Sequence, residues 1–252
     1  MRASASAFDF PGDDRGILLL HGLTGTPYDM HFLAGALRAR GFTVVAPTMA
    51  GHGGTAEDLA ATGWRDWVRV AGAELDRLKR RCTKVAIAGQ SMGGLCALHL
   101  VANGARVDAM ATLGSPLWLE GISARAAAWL ARGGALQQKI KTLPKIGGSD
   151  LGDAREKALS PSLPVMPARS VVEVASLMAI VNDELDRVRV PLLVLHGARD
   201  RTAPVASAAR IATHARALRA RLLPDSRHVI SLDVERAIVA DELIAFFERH
   251  LA

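Results

Sequence analysis

The sequence predicts an α/β fold in which a mainly parallel, twisted sheet carries helices on both faces. Short apolar runs alternate along the chain with longer segments whose apolar residues recur at helical spacing. Such alternation of strand and helix is typical of parallel sheets that are covered on both sides. The chain has 252 residues, of which 50% are hydrophobic, and this is enough to bury one large core without a second independent unit.

Seven short apolar runs are the strand candidates, and five longer periodic segments are the helix candidates. The strand candidates are residues 7–10, 17–20, 43–46, 84–88, 109–113, 192–195 and 220–223. The helix candidates are residues 30–40, 64–80, 93–103, 206–216 and 234–250. The short first strand can pair antiparallel at an edge, and the others are expected to run parallel.

The segment Gly89-Gln90-Ser91-Met92-Gly93 joins the fourth strand candidate to the helix candidate that follows it. In a Gly-x-Ser-x-Gly turn the strand and helix pack so closely that the flanking positions need residues without Cβ. The central serine takes strained dihedral angles that project its hydroxyl into a cleft. This pattern predicts Ser91 as the nucleophile of a hydrolase.

A serine hydroxyl needs a base within hydrogen-bond reach and a carboxylate that orients the base. His228 lies in a short polar loop after the last strand candidate, residues 220–223. Asp200 lies in the turn after the strand candidate before that one, the very apolar residues 192–195. Both positions follow the carboxyl ends of strands, where parallel sheets place ligands. The chain order Ser91, Asp200, His228 differs from that of chymotrypsin-like and subtilisin-like proteases.

Other histidines and acids fit structural roles better. His21 and His52 lie in loops after strands, where each is expected to hold backbone groups by hydrogen bonds. Asp233 is the main alternative to Asp200, although it opens the last helix, where an acidic residue also suits the helix dipole. The less favoured alternative acids are Asp183 and Asp186. The histidines that fall on helix candidates have no spacing typical of a metal site, and they are His31, His99, His214 and His250.

An acyl-transfer site also needs two donors for the oxyanion, one from the residue after the nucleophile and one from the loop after an early strand. The loop that begins at His21 follows the second strand candidate. The expected donors are therefore the backbone amides of Leu23 and Met92.

Several segments together resemble the α/β-hydrolases of the small bacterial carboxylesterase and monoacylglycerol lipase group. They are residues 21–26, 51–53, 66–67, 89–94, 185–191 and 228–233, which span nearly the whole chain. The resemblance implies the α/β-hydrolase fold with a small helical cap inserted after the sixth strand. It gives Ser91 as nucleophile, His228 as base and Asp200 as the acid that orients it, with Leu23 and Met92 as oxyanion donors. Two positions depart from the group, which commonly has Phe at position 23 and Leu at position 90.

The resemblance implies a serine hydrolase of short- to medium-chain acyl esters, with monoacylglycerols as candidate substrates. It also implies that the enzyme acts through an acyl-enzyme intermediate and needs no metal or organic cofactor. The alternatives are a thioesterase or acyltransferase with the same three residues, and a catalytically silent fold that only binds a ligand. Epoxide hydrolases and haloalkane dehalogenases of this fold are disfavoured, since they carry Asp at the position of Ser91.

One long interval, residues 115–186, interrupts the alternation of strand and helix. Its apolar residues are separated by Gly133-Gly134, Gly147-Gly148 and several prolines, a pattern typical of short helices on flexible joints. We expect this interval to form a cap over Ser91, with residues 1–114 and 187–252 as the hydrolase core. Its apolar residues either line the substrate pocket, with Trp118 and Met166 the preferred candidates, or fill a small core of the cap itself.

The composition of the chain indicates which classes of binding partner and which location to expect. The net charge is +6, but the basic residues are dispersed and only 4% of residues are aromatic, which disfavours nucleic-acid binding. Cys82 and Cys96 are expected to be reduced thiols. Residues 1–8 lack the apolar core of a secretory signal and the chain has no long uncharged apolar run, so a small-molecule ester as partner and a cytoplasmic location are expected. The sequence does not indicate an oligomeric state.

Overall fold

A seven-stranded sheet forms the centre of the computed structural model, which describes residues 6–145 and 147–252. In chain order the strands are β1 (Phe8–Phe10), β2 (Arg15–Leu20), β3 (Thr43–Ala46), β4 (Lys84–Gln90), β5 (Ala109–Leu113), β6 (Thr142–Pro144), β7 (Val165–Pro167), β8 (Leu192–Gly197) and β9 (Arg219–Leu223). The main sheet has the order β1-β3-β2-β4-β5-β8-β9, and β6 pairs with β7 as a separate antiparallel ribbon.

All seven predicted strands are present in the main sheet, each within two residues of its expected bounds. β1 pairs antiparallel with β3, and the other neighbouring pairs of this sheet are parallel. The prediction of a mainly parallel sheet with one antiparallel edge strand is therefore confirmed.

The five predicted helices are also present. In chain order the helices are α1 (His31–Arg38), α2 (Ala56–Ala60), α3 (Trp64–Lys79), α4 (Met92–Ala102), α5 (Gly121–Ala131), α6 (Ala135–Lys139), α7 (Ala154–Leu159), α8 (Ala168–Glu184), α9 (Val205–His214) and α10 (Arg236–His250), with short 3-10 turns at Pro27–Met30 and Leu185–Arg187. α2 lies outside the predicted helices, and it begins with a capping box between Thr55 and Asp58.

Helices cover both faces of the sheet, and alternate residues of each strand face opposite sides. Leu18 of β2 packs with Trp67 of α3 in the cluster on one face. Its neighbour Ile17 packs with Leu37 of α1 and Phe247 of α10 in the cluster on the other. A strand that is buried on both faces must be apolar at successive positions, which is why these strands read as continuous apolar runs.

The interval between Ser115 and Asp186 leaves the sheet after β5, which is the fifth strand of this chain and not the sixth. It contains α5, α6, β6, α7, β7 and α8. The prediction of short helices alone is too simple, because β6 and β7 form a ribbon and α8 is 17 residues long. Leu177 and Val181 of α8 are fully buried in the cluster that includes α3 and α4, so this helix packs on the helices that cover one face of the sheet.

The two cysteines lie in the interior of the molecule. Cys82 and Cys96 are free, buried thiols, and burial raises the pKa of Cys96 to about 12. Across residues 6–145 and 147–252, none of the helices combines the length and apolar character needed to span a membrane. Residues 1–5 of the amino-terminal stretch considered above lie outside the described residues.

Candidate active site

Ser91 occupies the turn between β4 and α4 and has φ 54° and ψ −117°. A positive φ is rare for a residue with a side chain and persists only where its surroundings fix it. Here the Ser91 amide donates to the carbonyl of Leu113 on β5 at 2.8 Å. A Cβ on Gly89 would collide with the backbone of Gly93, and one on Gly93 with the carbonyl of Leu20. The two glycines are therefore required by the close approach of strand, turn and helix.

The structure brings Ser91, His228 and Asp200 together. His228 Nε2 lies 2.9 Å from Ser91 Oγ, and His228 Nδ1 lies 2.8 Å from Asp200 Oδ2. His228 follows β9 and Asp200 follows β8, so both reach Ser91 from the carboxyl edge of the sheet. With Asp200 accepting from Nδ1–H, Nε2 is left free to accept the hydroxyl proton of Ser91.

Asp200 is surrounded by donors. Its Oδ2 also lies 3.1 Å from Nε2 of the buried His196, and its Oδ1 accepts from the amides of Thr202 and Ala203 at 2.8 and 2.7 Å. Burial by itself would raise the pKa of Asp200, but the charge of His228 and these hydrogen bonds outweigh it and hold the pKa below its usual range. The acid is therefore ionised across the physiological pH range. Its contact with His196 is one that the sequence analysis misses.

The pKa of His228 shifts in the opposite direction. Burial of the imidazole lowers it, but the neighbouring charge of Asp200 and the hydrogen bond to that carboxylate raise it by more, so the net pKa lies above the usual 6.5. A more basic imidazole accepts a proton from an attacking hydroxyl more readily.

Gln90, a position where related proteins commonly have Leu, makes a contact that the sequence does not predict. Its buried side-chain amide donates to the backbone carbonyl of His228 at 2.8 Å, and so ties the end of β4 to the loop that carries the base. The other side-chain atom, Oε1, is buried and has no hydrogen-bond partner among the described residues. A leucine at this position would lack the bond to His228.

The two expected oxyanion donors belong to different elements. Met92 is the first residue of α4, where helix geometry leaves the amide without an intrahelical acceptor. Leu23 lies in the loop after β2, and its neighbour Gly22 comes so close that a Cβ there would lie 3.3 Å from Ser91 Cβ. Met92 thus directly follows the nucleophile, and Leu23 directly follows the glycine that approaches it.

The other histidines near the site, His21 and His52, form hydrogen bonds with backbone groups. His21 Nε2 accepts from the amide of Met49 at 3.1 Å, so its Nδ1 carries the proton and donates to the carbonyl of Gly22 at 3.0 Å. Burial and the neighbouring His52 lower the pKa of His21 to about 3, and burial lowers that of His52 to about 4. Both rings are neutral at neutral pH, and the structural role predicted for His21 fits these contacts.

The alternative acids lie elsewhere. Both carboxylate oxygens of Asp233 accept backbone amides, from Gly152, Asp153 and Val234 at one oxygen and from Arg227 at the other. The exposed Asp186 lies near His214, and Asp183 is also exposed. Among the residues that the structure describes, no group of three or more histidine, cysteine or acidic residues is placed to hold a metal ion.

The two pocket candidates lie in different parts of the interval 115–186. Trp118, together with Leu119, Ala127 and Met178, lines an apolar cavity of about 370 Å³ between α5 and α8. Met166 lies in β7, where it pairs with Leu143 of β6. The structure thus places them on separate elements and not side by side.

A parallel sheet with a serine on the turn after a central strand, and with an acid and a histidine after the last two strands, defines the serine hydrolases of the α/β-hydrolase fold. This chain is one of them. It belongs to the family described as serine aminopeptidase, S33, whose model matches residues 13–235.

Individual relatives agree with this assignment. The chain is 31% identical to the thermostable monoacylglycerol lipase of Bacillus sp. (strain H-257) over 93% of this chain and 91% of that protein. It is 27% identical to a carboxylesterase of Bacillus subtilis (strain 168) over 96% of each. A solved structure from work on LipS and LipT, two metagenome-derived lipolytic enzymes, superposes with a TM-score of 0.90 at 27% identity over 99% of both chains.

Proposed function

We propose that this protein hydrolyses carboxylic esters through an acyl-enzyme on Ser91. The observation that carries the proposal is the continuous chain of short contacts from Ser91 Oγ through the ring of His228 to Asp200. The relatives named for lipase and carboxylesterase activity support an ester over a peptide substrate.

In the proposed reaction Ser91 Oγ attacks the ester carbonyl while His228 Nε2 takes its proton, and Asp200 stabilises the imidazolium that forms. The amides of Leu23 and Met92 bind the negative oxygen of the tetrahedral intermediate. His228 then donates the proton to the departing alcohol. A water molecule, deprotonated by the same ring, releases the carboxylic acid and restores the Ser91 hydroxyl.

For the substrate we propose short- to medium-chain acyl esters, with monoacylglycerols among them. The interval 115–186, taken as a cap on the core of residues 1–114 and 187–252, offers apolar surface to an acyl chain. We propose Trp118 as a lining residue because it borders the apolar cavity between α5 and α8. Met166 is proposed with it, as a partly buried apolar side chain on the ribbon.

The test is hydrolysis of p-nitrophenyl esters from acetate to palmitate by the wild type and by Ser91→Ala, with and without a serine-directed phosphonate. We expect wild-type turnover with an optimum at short to medium chains, and loss of about a million-fold in kcat for Ser91→Ala. Normal ester hydrolysis by Ser91→Ala would refute the proposal. A folded wild type that hydrolyses no ester would redirect the search to thioesters.

A further inference from the structure

Lys145 follows β6 in the interval 115–186 and directs its ammonium group into a cluster of hydroxyls. Its Nζ donates to Thr24 Oγ1 at 2.9 Å, to Ser162 Oγ at 2.8 Å and to Ser149 Oγ at 3.2 Å. These three bonds use all three protons of the ammonium group. Thr24 belongs to the loop after β2, 121 residues from Lys145 along the chain.

Thr24 is strained and is held by a second contact from the same interval. Its φ is 63°, a left-handed conformation that is costly for a β-branched residue, and its side chain is buried. The amide of Leu163 donates to the Thr24 carbonyl at 3.0 Å. The side chain and the backbone of one strained residue are therefore both fixed by residues from the interval 115–186.

The core holds the other side of the same loop. His21 donates to the Gly22 carbonyl, and a Cβ on Gly25 would collide with the carboxylate of Asp29. Burial raises the pKa of Asp29 to about 7, and the positive charge of Lys145 opposes that rise. The loop is thus fixed between two sets of contacts.

We propose that Lys145 is a positioning residue that holds the backbone amide of Leu23 where the oxyanion forms. The inference rests on the proposed function, in which Leu23 supplies one of the two donors. The amide of Gly25, in the peptide that follows Thr24, donates to the carbonyl of Gly22 at 3.1 Å. That carbonyl and the Leu23 N–H belong to one peptide unit, so a backbone rotation at Thr24 tilts the Leu23 donor. An oxyanion donor acts only when it lies about 2.7–3.1 Å from the developing charge, so a small tilt is sufficient to weaken it.

The first test compares Lys145→Met with Lys141→Met, a matched change at an exposed lysine of the same segment. With p-nitrophenyl butyrate we expect Lys145→Met to lose about 10- to 100-fold in kcat, with KM within about three-fold of wild type, because the donor acts mainly in the transition state. Lys141→Met should match the wild type. Equal kcat values for the two variants would overturn the proposal.

The second test asks whether Lys145 acts through Thr24. Thr24→Val keeps the shape but removes the acceptor, and should reproduce the loss in Lys145→Met, whereas Thr24→Ser keeps the acceptor and should stay within about three-fold of wild type. The double variant Lys145→Met/Thr24→Val should be no slower than the slower single variant, because both changes remove one bond. Losses that multiply in the double variant would show that the two residues act separately and would overturn the proposal.

A third readout separates this inference from the choice of substrate. A phosphonate that labels serine places its phosphoryl oxygen in the oxyanion site, and intact mass gives the rate of labelling without any ester. If the wild type is labelled at Ser91 but hydrolyses no ester, the ester proposal fails, and slower labelling of Lys145→Met than of Lys141→Met still supports the role of Lys145. Equal labelling rates would refute that role, and a wild type that is not labelled would refute both.

Discussion

Asp200 and Asp233 show how a few contacts give two neighbouring acids different roles. Asp200 faces two imidazoles, from His196 and His228, while the partners of Asp233 within residues 6–145 and 147–252 are backbone amides. The sequence favours Asp200 because it follows a strand directly, but the contact with His196 is visible only in the folded chain. A carboxylate with so many donors stays ionised and keeps the ring of His228 in one tautomer.

Replacing Asp200 should change the pH profile as well as the rate. In the wild type we expect kcat/KM to fall as the pH decreases through a His228 pKa above 6.5, because a protonated imidazole cannot accept the Ser91 proton. Asp200→Asn removes the charge that raises this pKa, so the midpoint should move to lower pH, and kcat should fall about ten-thousand-fold.

Rates of ester hydrolysis measured from about pH 5 to 9 check this expectation. The matched control is Asp225→Asn, at an exposed acid that pairs with Arg199 in the adjoining loops, and it should leave both the midpoint and kcat unchanged. A midpoint that stays in place in Asp200→Asn would contradict the electrostatic explanation.

Ser91 carries a backbone strain that a glycine would relieve. A residue with a side chain at φ 54° costs about 1–3 kcal/mol, whereas glycine adopts positive φ freely. We therefore expect Ser91→Gly to be inactive but more stable than Ser91→Ala by about 1 kcal/mol. Urea unfolding of both variants measures the difference, and equal midpoints and slopes would argue against strain at this turn.

At the scale of elements, periodicity predicts what is local and misses what depends on distant partners. The buried strands of the main sheet, such as β3 and β8, carry continuous apolar runs, so the sequence alone indicates them. The ribbon of β6 and β7 is partly exposed, contains prolines and is closed by residues far apart in the chain, so no local pattern marks it. The contacts of Gln90 with His228 and of Lys145 with Thr24 span 138 and 121 residues and are hidden for the same reason.

The helix α8 should behave as part of the core although it lies in the interval 115–186. Leu177 is fully buried in the cluster that includes α3 and α4, so Leu177→Ala should lower the free energy of unfolding by about 2–5 kcal/mol. Ile122 of α5 is 78% exposed, and Ile122→Ala should change it by no more than about 0.5 kcal/mol. Denaturant unfolding of both variants provides the measurement, and a similar small loss in each would place α8 outside the cooperative core.

For the whole molecule, the segment from Lys145 to Asp153 contacts all three loops around Ser91. Besides the bond to Thr24, the carboxylate of Asp150 accepts from the amide of Arg201 after Asp200, and its carbonyl accepts from the amide of Val229 after His228. Gly147 and Gly148 both have positive φ, and the Gly148 amide closes a turn onto the Lys145 carbonyl. This glycine pair therefore lies in a hydrogen-bonded turn, and we expect a hinge of the interval 115–186 at Gly133-Gly134 rather than here.

Hydrogen exchange with and without a phosphonate bound to Ser91 tests whether the hinge lies at Gly133-Gly134 and not at Gly147-Gly148. We expect changes in protection within residues 121–139, around Gly133-Gly134, and little change within residues 147–153, whose backbone is bonded to the catalytic loops. Equal protection of residues 121–139 in both states would contradict a hinge there. A large change in residues 147–153 would contradict this placement of the hinge.

The bonds that join residues 145–153 to three loops also limit how such proteins can be recombined. A chimera that takes the interval 115–186 from a relative and leaves the loops of the recipient would replace one side of each of these hydrogen bonds. Grafts that cross over after Asp153, or that exchange the three loops together with the graft, preserve the matched pairs. The unit to exchange in such chimeras is thus residues 145–153 together with the loops that they contact, rather than the inserted segment alone.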